Sequence, residues 1–287
     1  MPYWNALRLA VLSTSLLLLL AVGNPARADL MTETFAEYQK LLERYLTEKD
    51  LDHDGLVSAF DYQAALDDDD LEKILSAQHE RLAEFDKDQL DSRERAIAFW
   101  NNAYNYFMLA EILKERPDGE LVDSVWDYGG RYNPFRDSVF TTTKHDIGGT
   151  RYSLDEMEKG MLLGDDFAER GWKDARVHFT VNCASVGCPP LRKTIYTEDN
   201  IDDLLAENTR RAFNTERQLR VDGRTLYLTQ LFDWYEDHFE DAAGSVRDFI
   251  REHADDRIVD MIEDTSRIRH IDYDWALNSK ENFSEFD

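Results

Sequence analysis

"SRERAIAFWNNAYNYFMLAEILKER", Ser92 to Arg116, is the stretch on which the fold turns. Ser92 stands where a side-chain oxygen can accept from the free N–H groups that open a helix. Ile97, Trp100, Ala103, Tyr104, Phe107 and Leu109 then spread apolar surface around most of the circumference. A helix that is apolar on all sides belongs in a core, so the rest of the chain must be built around this one. Asn102 and Asn105 are three residues apart and share a face. Buried amides need partners. These two either orient a reacting group or hold a substrate, or they tie the helix to a loop backbone.

The flanking sequence supplies more helices and a few short strands. Phe35, Tyr38, Leu41, Leu42 and Tyr45 recur at helical spacing across residues 31–49. Residues 67–85 form a second helix whose first turn is rich in Asp, the favourable end for acids. From Ser138 the pattern changes to a strand, a Gly148-Gly149 turn, a short strand, and a helix capped by Ser153. "ARVHFTVN" (175–182) reads as a buried strand, and Asp199 to Phe213 as a helix. A hairpin turns at Asp222-Gly223. Helices follow over 230–240 and 245–254, and residues 267–278 close the chain as a strand or extended segment. The class is α+β: a mainly helical single domain around a small mixed or antiparallel sheet. No Pro/Gly/Ser-rich linker divides residues 29–287, so one domain is expected.

The N-terminus has a different composition. Arg8 precedes an apolar run through Leu20 and Val22, and Ala26-Arg27-Ala28 has the small-x-small pattern of a cleavage site. Residues 1–28 therefore read as a secretory signal peptide, which places the remainder in the periplasm or outside the cell. No later segment is apolar enough to span a bilayer, so the mature chain has no stable membrane insertion. A formal net charge of −26, from 59 acidic and 33 basic residues, repels nucleic acid and anionic membranes.

Both cysteines lie in "VHFTVNCASVGCPPLR", Val177 to Arg192. One reading makes Cys183 a nucleophile. It opens a loop of small residues, Ala184, Ser185 and Gly187, through which backbone N–H groups could reach a substrate oxygen. Asn182 is a further oxyanion donor, Arg192 a nearby cation, and His178 a base. Along an extended strand, however, five residues span about 16 Å and place side chains 178 and 183 on opposite sides. His145, His253 and His270 are alternative bases. The other reading is a Cys183–Cys188 disulfide, which export favours. A switchable redox pair is a third. Cys-x4-Cys without a matched His pair is weak evidence for zinc.

Five segments occur in order: "AFWNNAYNYFML" (98–109), "GTRYSLDEMEKGML" (149–162), "VHFTVNCASVGCPPLR" (177–192), "LFDWYEDHF" (231–239) and "YDWALN" (273–278). Together they resemble the signature blocks of the family catalogued as domain of unknown function 547, over residues 45–278. The resemblance implies exported proteins in bacteria and parts of larger intracellular proteins in plants, with no general activity attached. It also implies that the position of Cys183 keeps its Cys in the plant branch more often than that of Cys188. A disulfide is then not the shared purpose of Cys183. Lys159 and Leu163 stand where the family usually has His and Arg, while Glu158 is retained.

Two other features carry chemistry. "DLDHDGLVSAFD" (50–61) places Asp50, Asp52, Asp54, Leu56, Ser58 and Asp61 at positions 1, 3, 5, 7, 9 and 12 of a calcium loop, with Gly55 at position 6. Position 12 is an Asp where a bidentate Glu is usual, and no second loop pairs with it. Calcium is the one cofactor the sequence suggests. Trp100, Trp234, Trp275, Tyr104, Tyr235 and Tyr273 read as core, with an aromatic substrate groove as the alternative. The candidate site is therefore Cys183 and His178, lined by Asn102, Tyr104, Asn105, Glu158, Asn182, Ser185, Cys188 and Arg192. The expected activity is a thiol-dependent hydrolase or transferase of papain-like logic. The alternative is a non-catalytic periplasmic or envelope protein that binds a small molecule or peptide.

Overall fold

The structure is a computed structural model that describes residues 29–116, 119–129 and 138–287. The expected signal peptide, residues 1–28, lies outside the described residues. Helices α1 (Leu30–Thr34) and α2 (Ala36–Tyr45) are the first elements of the described residues, α1 capped by the Asp29 carboxylate. The expected first helix stops at Tyr45, because residues 46–50 pair with another segment. They form β1 (Leu46–Asp50), antiparallel to β2 (Leu56–Phe60), with Asp50 opposite Leu56. His53 and Asp54 make the turn with φ of 58° and 65°, a region that Asp and His enter more readily than most residues.

The acidic loop thus joins the two strands of a β-hairpin and does not lie between two helices. Asp50 and Asp54 pair with Arg211, and Asp54 also with Arg210. Asp61 accepts from the Ala64 N–H as the cap of α3 (Tyr62–Leu66). Ser58 is buried, and Leu56 lies within the strand. Among the described residues no group of three or more His, Cys, Asp or Glu side chains gathers to hold a metal ion.

Helix α4 (Leu71–Ala83) packs on α2, and α5 (Arg93–Lys114) runs through the centre. Ser92 caps α5 by accepting from the Arg95 N–H, and every residue from Ala96 to Leu113 is buried. This is the expected all-round core helix. A short helix α6 (Val139–Thr142) replaces the first part of the strand expected from Ser138. β3 (His145–Ile147) and β4 (Thr150–Tyr152) follow as an antiparallel pair. Gly148 and Gly149 turn between them with φ of 52° and 70°, which glycine adopts without strain. Ser153 caps the next helix, whose body, Glu156–Leu162, is a π-helix. Helix α7 is Asp165–Glu169.

The strand expected at 175–182 is absent. Ala175–Phe179 is a 3₁₀ helix, started by the Asp174 carboxylate accepting from the Arg176 N–H. β-branched composition favours a strand only where a neighbouring strand receives it. Here side-chain amides take up the backbone groups instead. Asn105 donates to Thr180 O and accepts from the Asn182 N–H, and Asn208 donates to Phe179 O.

Helix α8 (Ile201–Phe213) leads to β5 (Leu219–Asp222) and β6 (Thr225–Thr229), the hairpin at Asp222-Gly223. Helices α9 (Leu231–Trp234), α10 (Glu236–Ala243), α11 (Val246–His253) and α12 (Asp256–Glu263) then cross over to β7 (Arg267–Ile271), which pairs parallel to β6. The fold is α+β, mainly helical as expected, but its strands form two separate pairs and one mixed three-stranded sheet.

Among the described residues two large apolar cores result, with a small third cluster of Val57, Ala59, Val186 and Phe283. The larger surrounds α5, and the smaller holds Phe179, Phe213, Phe232, Phe239 and Phe249. The segment between them belongs to both. Val177 and Leu205 face the first core, Phe179 and Ala212 the second. The 3₁₀ helix and α8 therefore join the two cores, and Cys183 follows directly on this shared segment.

Candidate functional site

The Cys loop is held from two sides. From α5, Asn105 carries Thr180 and Asn182, Asn101 accepts from the Thr180 hydroxyl at 2.7 Å, and Asn102 makes both of its bonds to the backbone of Tyr196. From the C-terminal segment, the Val186 N–H donates to Ala276 O, the Gly187 N–H to Asp274 O, and the Asn278 N–H to Ala184 O. Asn182 folds the loop on itself, accepting from the Ala184 N–H and donating to Pro189 O, both at 2.8 Å. Ala184 has φ of 60°, a conformation costly for a residue with a Cβ, so the loop is over-determined by these bonds. Gly187 fits because a Cβ there would lie 2.9 Å from the Tyr273 ring.

Within this frame Cys183 and Cys188 lie at disulfide distance, with Cα atoms 6.3 Å apart. The Tyr273 hydroxyl is 3.1 Å from Cys188 Sγ and 3.3 Å from Cys183 Sγ. The Cys183 N–H points at Cys188 Sγ, 2.9 Å away. With the Ala184 N–H on Asn182, two N–H groups of the loop are turned inward rather than offered to a substrate oxygen.

Both sulfurs face a cavity of about 450 Å³. α5 contributes Tyr104, the π-helix Glu158 and Lys159, and the 3₁₀ helix His178; Trp234, Tyr235, Tyr273 and Trp275 complete much of the wall. Trp126 joins them, its ring 4.8 Å from that of Trp275. His178 therefore shares the cavity with Cys183. The opposition of faces expected along a strand does not arise, because the 3₁₀ helix and the following loop redirect the chain. No hydrogen bond joins His178 to Cys183, however. Its Nε2 lies 3.0 Å from His238 Nδ1, and its ring packs 4.1 Å from that of Tyr235. Its other ring nitrogen is buried without a partner. Burial, then the neighbouring His238, holds the His178 imidazole well below the usual histidine range, so it is neutral near pH 7.

Glu158 lies deep in the wall and keeps some surface facing the cavity. The Tyr235 hydroxyl donates to its Oε1 at 2.9 Å. Burial pushes the Glu158 carboxyl up, and the Tyr235 bond only partly offsets this. Burial and then Glu158 push the Tyr273 phenol above its ordinary range, which keeps it a hydroxyl donor to sulfur. Lys159 is matched by Asp155, 2.5 Å away.

Of the residues singled out from sequence, Cys183, Cys188, His178, Tyr104 and Glu158 line the cavity. Asn102, Asn105 and Asn182 are tied to backbone, and Ser185 bridges to Leu277. Arg192 is held by Glu48 and Glu207, so it is not a cation beside Cys183. His145 is stacked on Phe107, His253 meets Phe249 edge-on, and His270 lies by Asp233. None of the three lines the cavity. Trp100 is core, Tyr104 is core that also lines the cavity, and Trp234, Tyr235, Tyr273 and Trp275 are cavity wall. His238 was not singled out. Its signal is the spacing of Tyr235, His238 and Phe239, which share a helical face in "LFDWYEDHF".

Residues 88–213 match the family described as "Protein of unknown function, DUF547". The chain resembles that family, over a shorter span than the 45–278 read from its motifs. The matched span holds α5, the π-helix and the Cys loop, while Trp234, Tyr273 and Trp275 lie beyond it. No curated protein and no solved structure matches the chain.

Proposed function

We propose that this chain is a non-catalytic small-molecule-binding protein, with the ligand in the aromatic cavity and an oxidised Cys183–Cys188 pair in its wall. The observation that carries this reading is the setting of the sulfurs. They face each other at disulfide distance beside a phenol, and among the described residues no imidazole or cation makes a hydrogen bond to Cys183. The volume, about 450 Å³, suits a small organic molecule. Export through the signal peptide read at residues 1–28 would keep the pair bonded. The test is a thiol titration of protein isolated from periplasm without reductant. No thiol should react before reduction and two should react after it. One reactive, acidic thiol at Cys183 in untreated protein would overturn the reading.

A thiol-dependent hydrolase or transferase is the second reading, favoured by the Tyr273 hydroxyl. Once the pair is reduced, that donor would stabilise a Cys183 thiolate. His178 in the same cavity would be its nearest imidazole by placement. The same titration separates the two.

A further inference from the structure

The geometry points to an organic ammonium ion as the ligand of this cavity, seated between the Glu158 carboxylate and the faces of Trp234, Tyr273 and Trp275. The inference rests on the binding reading above and adds the charge and type of the ligand.

Three observations carry it. The first is the aromatic wall. The rings of Trp234 and Trp275 are 5.7 Å apart at 25°, those of Tyr273 and Trp275 are 4.5 Å apart, and those of Trp234 and Tyr273 are 4.9 Å apart. The faces of such rings carry negative potential, and a cation packed on them is attracted. The second is exposure. Among the described residues only Trp234, at 38%, and Ile268 are large apolar side chains left exposed, and Trp234 stands in the cavity wall. An indole uncovered at that position is open to contact by whatever enters.

The third is charge. Among the described residues no Lys, Arg or His lies within ion-pair distance of Glu158, which accepts a hydrogen bond from the Tyr235 hydroxyl. Lys159, the lysine of the wall, is taken by Asp155. An anionic ligand would meet two carboxyl groups and an already neutralised lysine. A cationic ligand would meet a carboxyl group that, among the described residues, has a phenol but no cation against it, and a wall of aromatic rings. The chain's net charge of −26 adds a long-range field of the same sign preference.

The experiment uses the full mature chain and three probes of one shape: choline, neutral 3,3-dimethylbutan-1-ol and anionic 3,3-dimethylbutanoate. Binding is read by calorimetry and by tryptophan fluorescence, with neutral 2-naphthol as a competing aromatic probe. Choline should bind at least tenfold tighter than the alcohol, and the carboxylate weakest. Glu158→Gln keeps the shape and the Tyr235 bond, and it should remove at least tenfold of choline affinity with little change for 2-naphthol. Trp234→Ala, at an exposed position, should weaken both choline and 2-naphthol while the protein stays folded. Equal affinity for choline and the alcohol, or unchanged choline affinity in Glu158→Gln, would overturn the cation inference and leave the binding reading standing. If neither choline nor 2-naphthol binds, both readings fall.

Discussion

Asn105→Ala tests how the central helix holds the sulfur loop. The Asn105 amide makes two bonds to buried main chain, to Thr180 O at 2.9 Å and from the Asn182 N–H at 2.8 Å. Leaving a buried polar group unpaired costs about 1–3 kcal/mol. Thr180 O keeps a long bond from the Tyr196 hydroxyl, at 3.4 Å, so the penalty falls mainly on the Asn182 N–H. The deleted side chain also leaves a small void in a fully packed helix face. The sum is a loss of about 3 kcal/mol, or about 6–12 °C in melting temperature for a domain of this size. Urea unfolding followed by far-ultraviolet circular dichroism measures it. Asn182 precedes Cys183, so reduction of the Cys183–Cys188 pair by dithiothreitol should also become faster. A loss below about 1 kcal/mol would refute the assignment of this amide as the tie, since even one orphaned buried N–H should cost more than that.

Two further outcomes follow from packing and burial. Gly187→Ala places a Cβ 2.9 Å from the Tyr273 ring and 3.0 Å from Asp274 O. Overpacking of this kind costs about 1–3 kcal/mol. Because the ring is one of the clash partners, Gly187→Ala combined with Tyr273→Leu should be less destabilising than the sum of the two, as a double-mutant cycle would measure. Glu111, buried beside His145, has its carboxyl pushed up to about 7 by burial. Between the ordinary carboxylate range and about 7, the unfolded chain gives up this proton while the folded chain keeps it. Stability contributed by Glu111 is thus present at low pH and is lost as pH rises through that window. Glu111→Gln removes this slope, so its stability relative to wild type should grow by about 3 kcal/mol from pH 4.5 to pH 8. His145, whose imidazole burial holds at about 3, contributes a slope of opposite sign, so the comparison is made as a difference from wild type. A difference that stays flat in urea unfolding across these pH values would refute the assignment.

Local rules were enough for much of the frame. The cap at Ser92 and the all-round apolar pattern of α5 depend on neighbours within one turn, and both were legible. The same holds for the Gly148-Gly149 and Asp222-Gly223 turns, where the backbone conformation itself selects the residue. The amides Asn102 and Asn105 were legible as groups in need of partners, though not which partners. Helix α12, residues 256–263, was missed, and the first helix was drawn four residues too long because β1 owes its existence to pairing with β2.

What sequence reading could not reach is whatever depends on contacts distant along the chain. The run at 175–182 has strand composition, but the amides of α5 and α8 occupy its backbone groups, and it becomes a 3₁₀ helix and loop. That one change puts His178 and Cys183 in a common cavity. The acidic run at 50–61 has calcium-loop spacing, and only the tertiary structure brings Arg210 and Arg211, on α8, to Asp50 and Asp54. Tyr273 comes to lie on sulfurs 85 and 90 residues earlier in the chain. Propensity, capping and turn chemistry act over a few residues and can be read in order. The cavity is lined by side chains from Tyr104 to Trp275, and no short window contains the free energies that bring them together.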